Sequence, residues 1–353
     1  MLKVIDLEKE YEGKPLLCGV SFEVGADETV CLLGRSGGGK STILRIIAGL
    51  EEAESGQIFW EHQNLARIPA HHRSFGLMFQ DYALFPHLDV FENIAFGLRI
   101  KKLDSQYINE RVAEVLALVG MDTFGQRSVH DLSGGEKQRV AFARAIAPDP
   151  KMLMLDEPMG ALDRTLRDQL LKDLQALLAV TDIPVIYVTH DQEEAFAVAD
   201  RILILNNGQI IQEGTPQDVY SHPKDLWVAS FLGLNNRLSG RIVELDPFTV
   251  ETPIGSFEID CPSGEYRIGS SVELLFMDIQ ICQTIKTQGN TFPAEVTGHR
   301  FQGYDHKIKI CIAGKFDADL ITDHALHPGE IIQVSINTQS VLCFAKGKQH
   351  ENC

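Results

Sequence analysis

The residues best equipped for chemistry stand together at Gly34-Arg35-Ser36-Gly37-Gly38-Gly39-Lys40-Ser41-Thr42, directly after the apolar run Cys31-Leu32-Leu33 and before the helical pattern Ile43 to Ala48. Glycines allow backbone angles closed to other residues, so successive N–H groups can point inward, and the start of the following helix adds its positive dipole end. Such a loop cradles phosphates. Lys40 would reach the β- and γ-phosphates and Ser41 would ligate Mg²⁺. A flexible glycine loop with a solvated lysine is the competing reading, and the flanking strand and helix weigh against it. The loop implies a bound nucleotide without choosing among the reactions that share it.

Three other apolar runs also end in polar groups. Phe75-Gly76-Leu77-Met78-Phe79 ends in Gln80, Met152 to Leu155 in Asp156-Glu157, and Val185 to Thr189 in His190. Helical patterns between them argue for a parallel sheet whose carboxyl ends carry a phosphate loop, an amide, two carboxylates and an imidazole. Ligands of open α/β sheets bind beyond those ends, so these groups should meet at one nucleotide.

The elements that must position them follow from periodicity. Residues Leu2 to Val24 read as antiparallel strands, with Val20, Phe22 and Val24 alternating inward, and Gln57 to Trp60 as another. Tyr11 stands ahead of the phosphate loop, placed either to stack on a base or as an ordinary strand aromatic. A helical insertion follows Gln80: Asp89 and Glu92 are spaced as a capping box for a helix through Phe96, and Ile108, Val112, Val115, Leu116 and Val119 share a face before Gly120. The large side chains Tyr82, Leu84 and Phe85 fit either a docking surface or burial beneath that insertion.

Leu132-Ser133-Gly134-Gly135-Glu136 opens an alanine-rich helix, where a hydroxyl and two glycines make a second anion site or a plain serine cap. Leu166, Leu170, Leu174 and Leu178 mark a helix after Met159-Gly160-Ala161-Leu162-Asp163. From about Gly233 to Ser239 onward short strands and turns take over, Pro262-Ser263-Gly264 among them, which predicts a separate barrel-like β-domain.

Composition bounds the rest. At 353 residues and 44% hydrophobic, the chain has room for two cores, and no apolar run approaches the roughly 20 residues of a membrane-spanning helix. The start Met1 to Asp6 lacks the apolar core of a signal peptide, so any membrane role is expected to be peripheral. A net charge of −17 disfavours nucleic acid as a partner. The seven cysteines are scattered without a C-x-x-C pair, which suggests neither a disulfide framework nor a zinc site and fits a reducing cytosol. His62, His71, His72 and His87 are too irregularly spaced for a metal site.

Gly34 to Thr42, Gln80, Leu132 to Gln138, Asp156 to Pro158, Asp163 and His190, in that order and spacing, resemble the full motif set of an ATP-binding-cassette (ABC) ATPase. The resemblance implies an α/β P-loop NTPase with antiparallel β and helical subdomains over residues 1–235, the helical part at about 85–150. The tail, 236–353, more loosely resembles the OB-like regulatory barrels on ATPase subunits of bacterial solute importers. Phe79 to His87 is most similar to ferric-iron, polyamine, sulfate and sugar importers, with a lean to iron.

Carried over, the resemblance implies that Tyr11 stacks on adenine and that Gly34, Ser36, Gly37, Gly39, Lys40, Ser41 and Thr42 hold ATP's phosphates. Gln80 would touch Mg²⁺ and the attacking water and sense the membrane subunit, Asp156 would support Mg²⁺, Glu157 would be the base, and His190 would hold the γ-phosphate. Ser133 and Gly135 would contact nucleotide bound by a second copy, with Asp163 linking the two sites. It further implies a head-to-tail homodimer at the cytoplasmic face of the bacterial inner membrane, integral permease subunits as partners and, indirectly, a solute-binding protein. Glu136-Lys137 departs from the glutamine pairs frequent there, and Leu275-Phe276-Met277-Asp278 replaces the arginine-proline-glutamate usual in the regulatory domain.

Two other classes compete: a soluble cassette ATPase of DNA repair or translation, and a small-molecule kinase. About a hundred residues without sustained heptads separate Lys40 from Ser133, which leaves no coiled coil of the repair type. Translation-type cassettes carry two copies in one chain, and a kinase has no use for Ser133-Gly134-Gly135.

Overall fold

The computed structural model describes residues 1–160, 164–179, 181–260, 266–282, 290–301 and 303–346. Asp163 and the Pro262-Ser263-Gly264 turn lie outside these residues, as does the side chain of Leu166. The chain divides into two compact units, Met1–Pro223 and a second that begins at Lys224.

Alternation in the first residues produces a hairpin, β1 (Leu2–Tyr11) with β2 (Lys14–Val24), joined on its other side by β4 (Ser55–Trp60) and β5 (Gln63–Asn64) in an antiparallel sheet of order β2-β1-β4-β5. Val20, Phe22 and Val24 face inward as their spacing requires.

The second sheet has order β10-β9-β3-β8-β7-β6, with β3 (Thr29–Gly34), β6 (Phe75–Met78), β7 (Met152–Asp156), β8 (Val185–Thr189), β9 (Arg201–Asn206) and β10 (Gln209–Gly214). β6, β7, β8, β3 and β9 run parallel and β10 pairs antiparallel with β9. β7 and β8 are buried along their whole length, as a sheet covered on both faces demands of its apolar runs. Against it packs α1 (Lys40–Ala48), burying Ile43, Leu44, Ile46 and Ile47 at roughly 1.5–3 kcal/mol each. Gly49 ends that helix in a left-handed cap, its N–H returning to Arg45 and Ile46.

After the short α2 (Ala70–Arg73), the helical insertion comprises α3 (Val90–Ile100), α4 (Ser105–Leu118) and α5 (Gly134–Ile146). Asp89 caps α3 by accepting from Glu92 N–H, and α3 runs a turn beyond the expected Phe96 because Leu98 continues its buried face. Ile108, Val112, Val115 and Leu116 form the buried face of α4, and Gly120 follows it at φ 68°. The following helices are α6 (Arg164–Ala179), burying Leu170, Leu174 and Leu178, and α7 (Gln192–Val198). Among the described residues no helix is long and apolar enough to cross a membrane.

The second unit opens with a short helix, Leu226–Phe231, and is otherwise built of β-strands and OB-like: antiparallel sheets of order β13-β12-β11-β14-β20 and β15-β19-β16-β17-β18 share one core that includes Phe257, Phe276, Val296, Ile310 and Phe316. Its strands are β11 (Arg237–Leu245), β12 (Phe248–Thr252), β13 (Gly255–Glu258), β14 (Ser271–Phe276), β15 (Ile279–Cys282), β16 (Thr291–Phe301), β17 (His306–Ile312), β18 (Phe316–Thr322), β19 (Ile331–Ile336) and β20 (Val341–Ala345). The departure at Leu275-Phe276 falls at the end of β14, where both side chains are buried.

Candidate active site

The phosphate loop joins β3 to α1. A Cβ at Gly34 would lie 2.5 Å from the Leu205 carbonyl oxygen of β9, so no larger residue fits there without moving the sheet. Gly37 and Gly39 take φ of 79° and 93°, and Gly39 forms the cap before Lys40. Ser36 and Gly37 are exposed and Thr42 is buried.

Lys40 is 3% exposed, and its Nζ donates to the Gly34 and Arg35 carbonyls at 2.9 Å each, a bridge that pulls the loop around the ammonium. Burial pushes its amine below the ordinary lysine value, and Glu157 and Asp156 oppose that shift. Ser41 Oγ donates to Asp156 Oδ1 at 2.7 Å.

Glu157 is the hub. Its carboxylate accepts from Gln80 Nε2 at 3.1 Å, lies 3.2 Å from His190 Nδ1 and stands 3.8 Å from Lys40 Nζ. Its backbone takes φ 44°, a left-handed angle uncommon outside glycine, while its N–H donates to Val188 O at 2.9 Å. Strain of this kind collects at functional positions, because the surroundings must hold the residue there. The structure therefore joins Lys40, Ser41, Gln80, Asp156, Glu157 and His190 through direct contacts at the carboxyl ends of β3, β6, β7 and β8.

Burial raises the Asp156 carboxyl above its ordinary value, and the Ser41 hydrogen bond works against that. A carboxyl raised on folding contributes stability that is complete below its unfolded value and is lost as pH climbs through the folded one. Ionising Asp156 thus costs the fold stability when nucleotide and divalent ion are withheld. Asp156→Asn, which keeps the acceptor for Ser41, is expected to melt a few degrees higher than the wild type at pH 8 and to lose that advantage near pH 4. Thermal melts at the two pH values check this, and a variant less stable at pH 8 would contradict it.

Tyr11 is 46% exposed; its hydroxyl meets the Glu51 carboxylate and Lys9 Nζ lies 5.3 Å from the ring centroid. Ser133 caps α5: its hydroxyl accepts from Glu136 N at 3.3 Å while the Glu136 carboxylate accepts from Ser133 N at 2.7 Å. Within one chain the serine cap is therefore what forms, and Ser133 is left at the surface, apart from the Glu157 cluster in its contacts. Gly135 is buried, and a Cβ there would come 3.1 Å from Leu170. Tyr82 is buried too, with its hydroxyl 3.5 Å from Pro158 O, and Phe85 is half-buried against Phe96. Burial wins for Tyr82, because the turn that follows Gln80 folds that ring inward.

Sequence reasoning missed the carboxylate that anchors β8. Glu194, 3% exposed, accepts from Thr189 Oγ1 at 2.5 Å, from Tyr187 Oη at 3.1 Å and from Arg167 Nη2 at 2.5 Å. It anchors the end of β8 from which His190 projects. A glutamate in the first turn of a helix is so common that its sequence carried no warning.

The sequence profile of the ABC transporter family matches residues 17–160. The spermidine/putrescine import ATP-binding protein PotA of Mesoplasma florum is 38% identical over 342 residues, 97% of each chain. Its namesakes are 37% identical in Clostridioides difficile, over 88% of each chain, and 44% identical in Escherichia coli K12, over 69% of this chain and 65% of that one. The dimeric post-hydrolysis structure of the cassette MJ0796 bound to ADP and phosphate superimposes at a TM-score of 0.55 and 29% identity, covering 61% of this chain and 99% of that one. CbiO1 of Clostridium perfringens, part of the transporter complex cbiONQ, does so at 0.58 and 30%, covering 63% and 90%. The lean to iron finds no support among these relatives. With its phosphate loop, its Glu157 hub and relatives that match it nearly end to end, the chain belongs to the ABC transporter family, as the ATP-hydrolysing subunit of an importer.

Proposed function

We propose that the chain powers uptake of polyamines of the spermidine and putrescine class. The observation that carries this reading is the 38% identity over 97% of both chains to a protein named for that import. Residues 1–235 act as the nucleotide-binding domain and 236–353 as a regulatory domain. The working unit is a head-to-tail homodimer seated on integral permease subunits at the cytoplasmic face of the membrane, supplied by a solute-binding protein outside.

In that reading Glu157 accepts the proton of the attacking water, which Gln80 helps place, while Lys40 and His190 steady the charge that grows on the transferred phosphoryl oxygens. The contacts of Glu157 with Gln80, His190 and Lys40 support this reading. The donor set beside the loop, a hydroxyl and a carboxylate 2.7 Å apart, suits a hard dication. Ser41, Asp156 and Gln80 would hold Mg²⁺, which supplies charge neutralisation on the phosphates when bound. Tyr11 stacks on adenine with the ring face not covered by Lys9, and Ser133 and Gly135 meet the nucleotide of the partner copy, with Asp163 between the sites.

Cells lacking the chain are expected to lose uptake of radiolabelled spermidine and to regain it from a plasmid copy. Unchanged polyamine uptake, with loss of ferric iron or another solute instead, would overturn the substrate assignment.

A further inference from the structure

Between β6 and α3 the backbone makes a turn that its sequence does not favour. Tyr82 and Ala83 are consecutive non-glycine residues at φ 63° and 44°. Left-handed angles crowd a Cβ against its own backbone, and two in a row do not persist without help. Help comes from Arg144, near the end of α5. Its Nη2 donates to Tyr82 O and its Nη1 to Ala83 O, both at 2.7 Å, and its guanidinium lies 5.5 Å from the Phe85 ring centroid.

The far side of the loop is held separately. Asn93, wholly buried, accepts from Phe85 N at 2.8 Å and donates to the carbonyls of Phe85, Leu88 and Asp89. The near side runs into the active site, where Gln80 touches Glu157 and the Tyr82 hydroxyl reaches Pro158 O. The helix that carries Arg144 is the one capped by Ser133. One rigid element thus has the trans-acting serine at its start and a grip on the Gln80 loop near its end.

We propose that Arg144 is a positioning residue: its guanidinium locks the Tyr82-Ala83 turn to the helix that begins at Ser133, so that Gln80 and Ser133 shift as one body when a membrane partner presses on the loop. The proposal rests on the importer reading given above. A planar fork with two parallel N–H groups fits two carbonyls that point the same way; an ammonium carries the same charge but cannot hold both in fixed geometry. Loss of the fork lets the turn relax and carries Gln80 away from Glu157. The phosphate loop is untouched, so the effect falls on kcat and not on the KM for ATP.

The test compares wild type, Arg144→Lys, Arg144→Ala and the double variant Arg144→Lys with Ala83→Gly. ATP hydrolysis is followed in the isolated chain and in the complete transporter in lipid vesicles, with spermidine as the transported probe. Arg144→Lys is expected to lower kcat about tenfold at unchanged KM and unchanged melting temperature. Because glycine takes left-handed angles unaided, Ala83→Gly is expected to recover at least about threefold of that loss. Arg144→Lys with wild-type kcat and coupling would overturn the proposal. So would a loss that glycine does not relieve and that tracks a lowered melting temperature, since that is what a merely structural arginine gives. Should Arg144→Ala fail to fold, the lysine variant and its glycine partner still decide. A wild type that spermidine never stimulates would count against the polyamine reading alone, because kcat and KM of the isolated chain would still report on Arg144.

Discussion

Glu157→Gln is expected to abolish ATP turnover while ATP stays bound. One carboxylate oxygen, Oε2, lies 3.1 Å from the Gln80 amide and the other, Oε1, 3.2 Å from the His190 ring nitrogen, in the middle of the group of side chains that the sheet assembles. Glutamine keeps the size of the side chain and an oxygen for Gln80, so the left-handed backbone at φ 44° is undisturbed. What goes is the ability to take a proton from water, worth about two to four orders of magnitude in kcat. Affinity should hold or rise, because the substitution removes a negative charge 3.8 Å from Lys40 Nζ and leaves that ammonium to the phosphates. Single-turnover hydrolysis and nucleotide binding measured on the same preparation check both halves. Wild-type hydrolysis in the variant would remove Glu157 from the mechanism.

The second large effect is expected at a residue that takes no part in the Glu157 cluster of its own chain. Ser133→Arg should lower hydrolysis by about two orders of magnitude. The hydrogen-bond partner of its hydroxyl is the N–H of Glu136, the third residue of α5, and losing that cap costs the fold only about 1 kcal/mol. The chain should therefore remain folded and bind ATP. In the proposed dimer turnover fails because the helix start, its N–H groups and its dipole would be offered to the nucleotide of a second copy, where an arginine side chain would hold the two surfaces apart. The capping box seen within one chain does not argue otherwise, since the same serine can cap the helix and present its outward lone pair.

These effects differ in how much of their basis could be read from sequence. The phosphate loop was legible because Gly34, Gly39 and Lys40 obey local rules of backbone angle and helix start, and the parallel sheet because buried strands must be apolar along their length. The meeting of Gln80, Asp156, Glu157 and His190 followed from the strand ends. Tyr82 was not legible: a run of large side chains reads alike whether it packs inward or faces a partner, and only the left-handed turn decides. Arg144 and Asn93 were hidden for another reason. Each spends its side chain on backbone carbonyls, Arg144 on residues 61 and 62 positions away, and a carbonyl leaves no mark in a sequence. At the departure Leu275-Phe276 both side chains are buried at the end of β14, and Phe276 belongs to the β-unit's core.

Mixing two disabled copies tests the shared site most directly. Lys40→Ala removes the ammonium that lies inside the phosphate loop, and Ser133→Arg spoils what is lent to the other chain; each alone should be inactive. Combined in equal amounts, half of the dimers pair one of each, and in those dimers one site has both an intact lysine and an intact serine. Hydrolysis should return to about a quarter of the wild-type rate. No recovery on mixing, or full activity of either variant alone, would contradict the shared site.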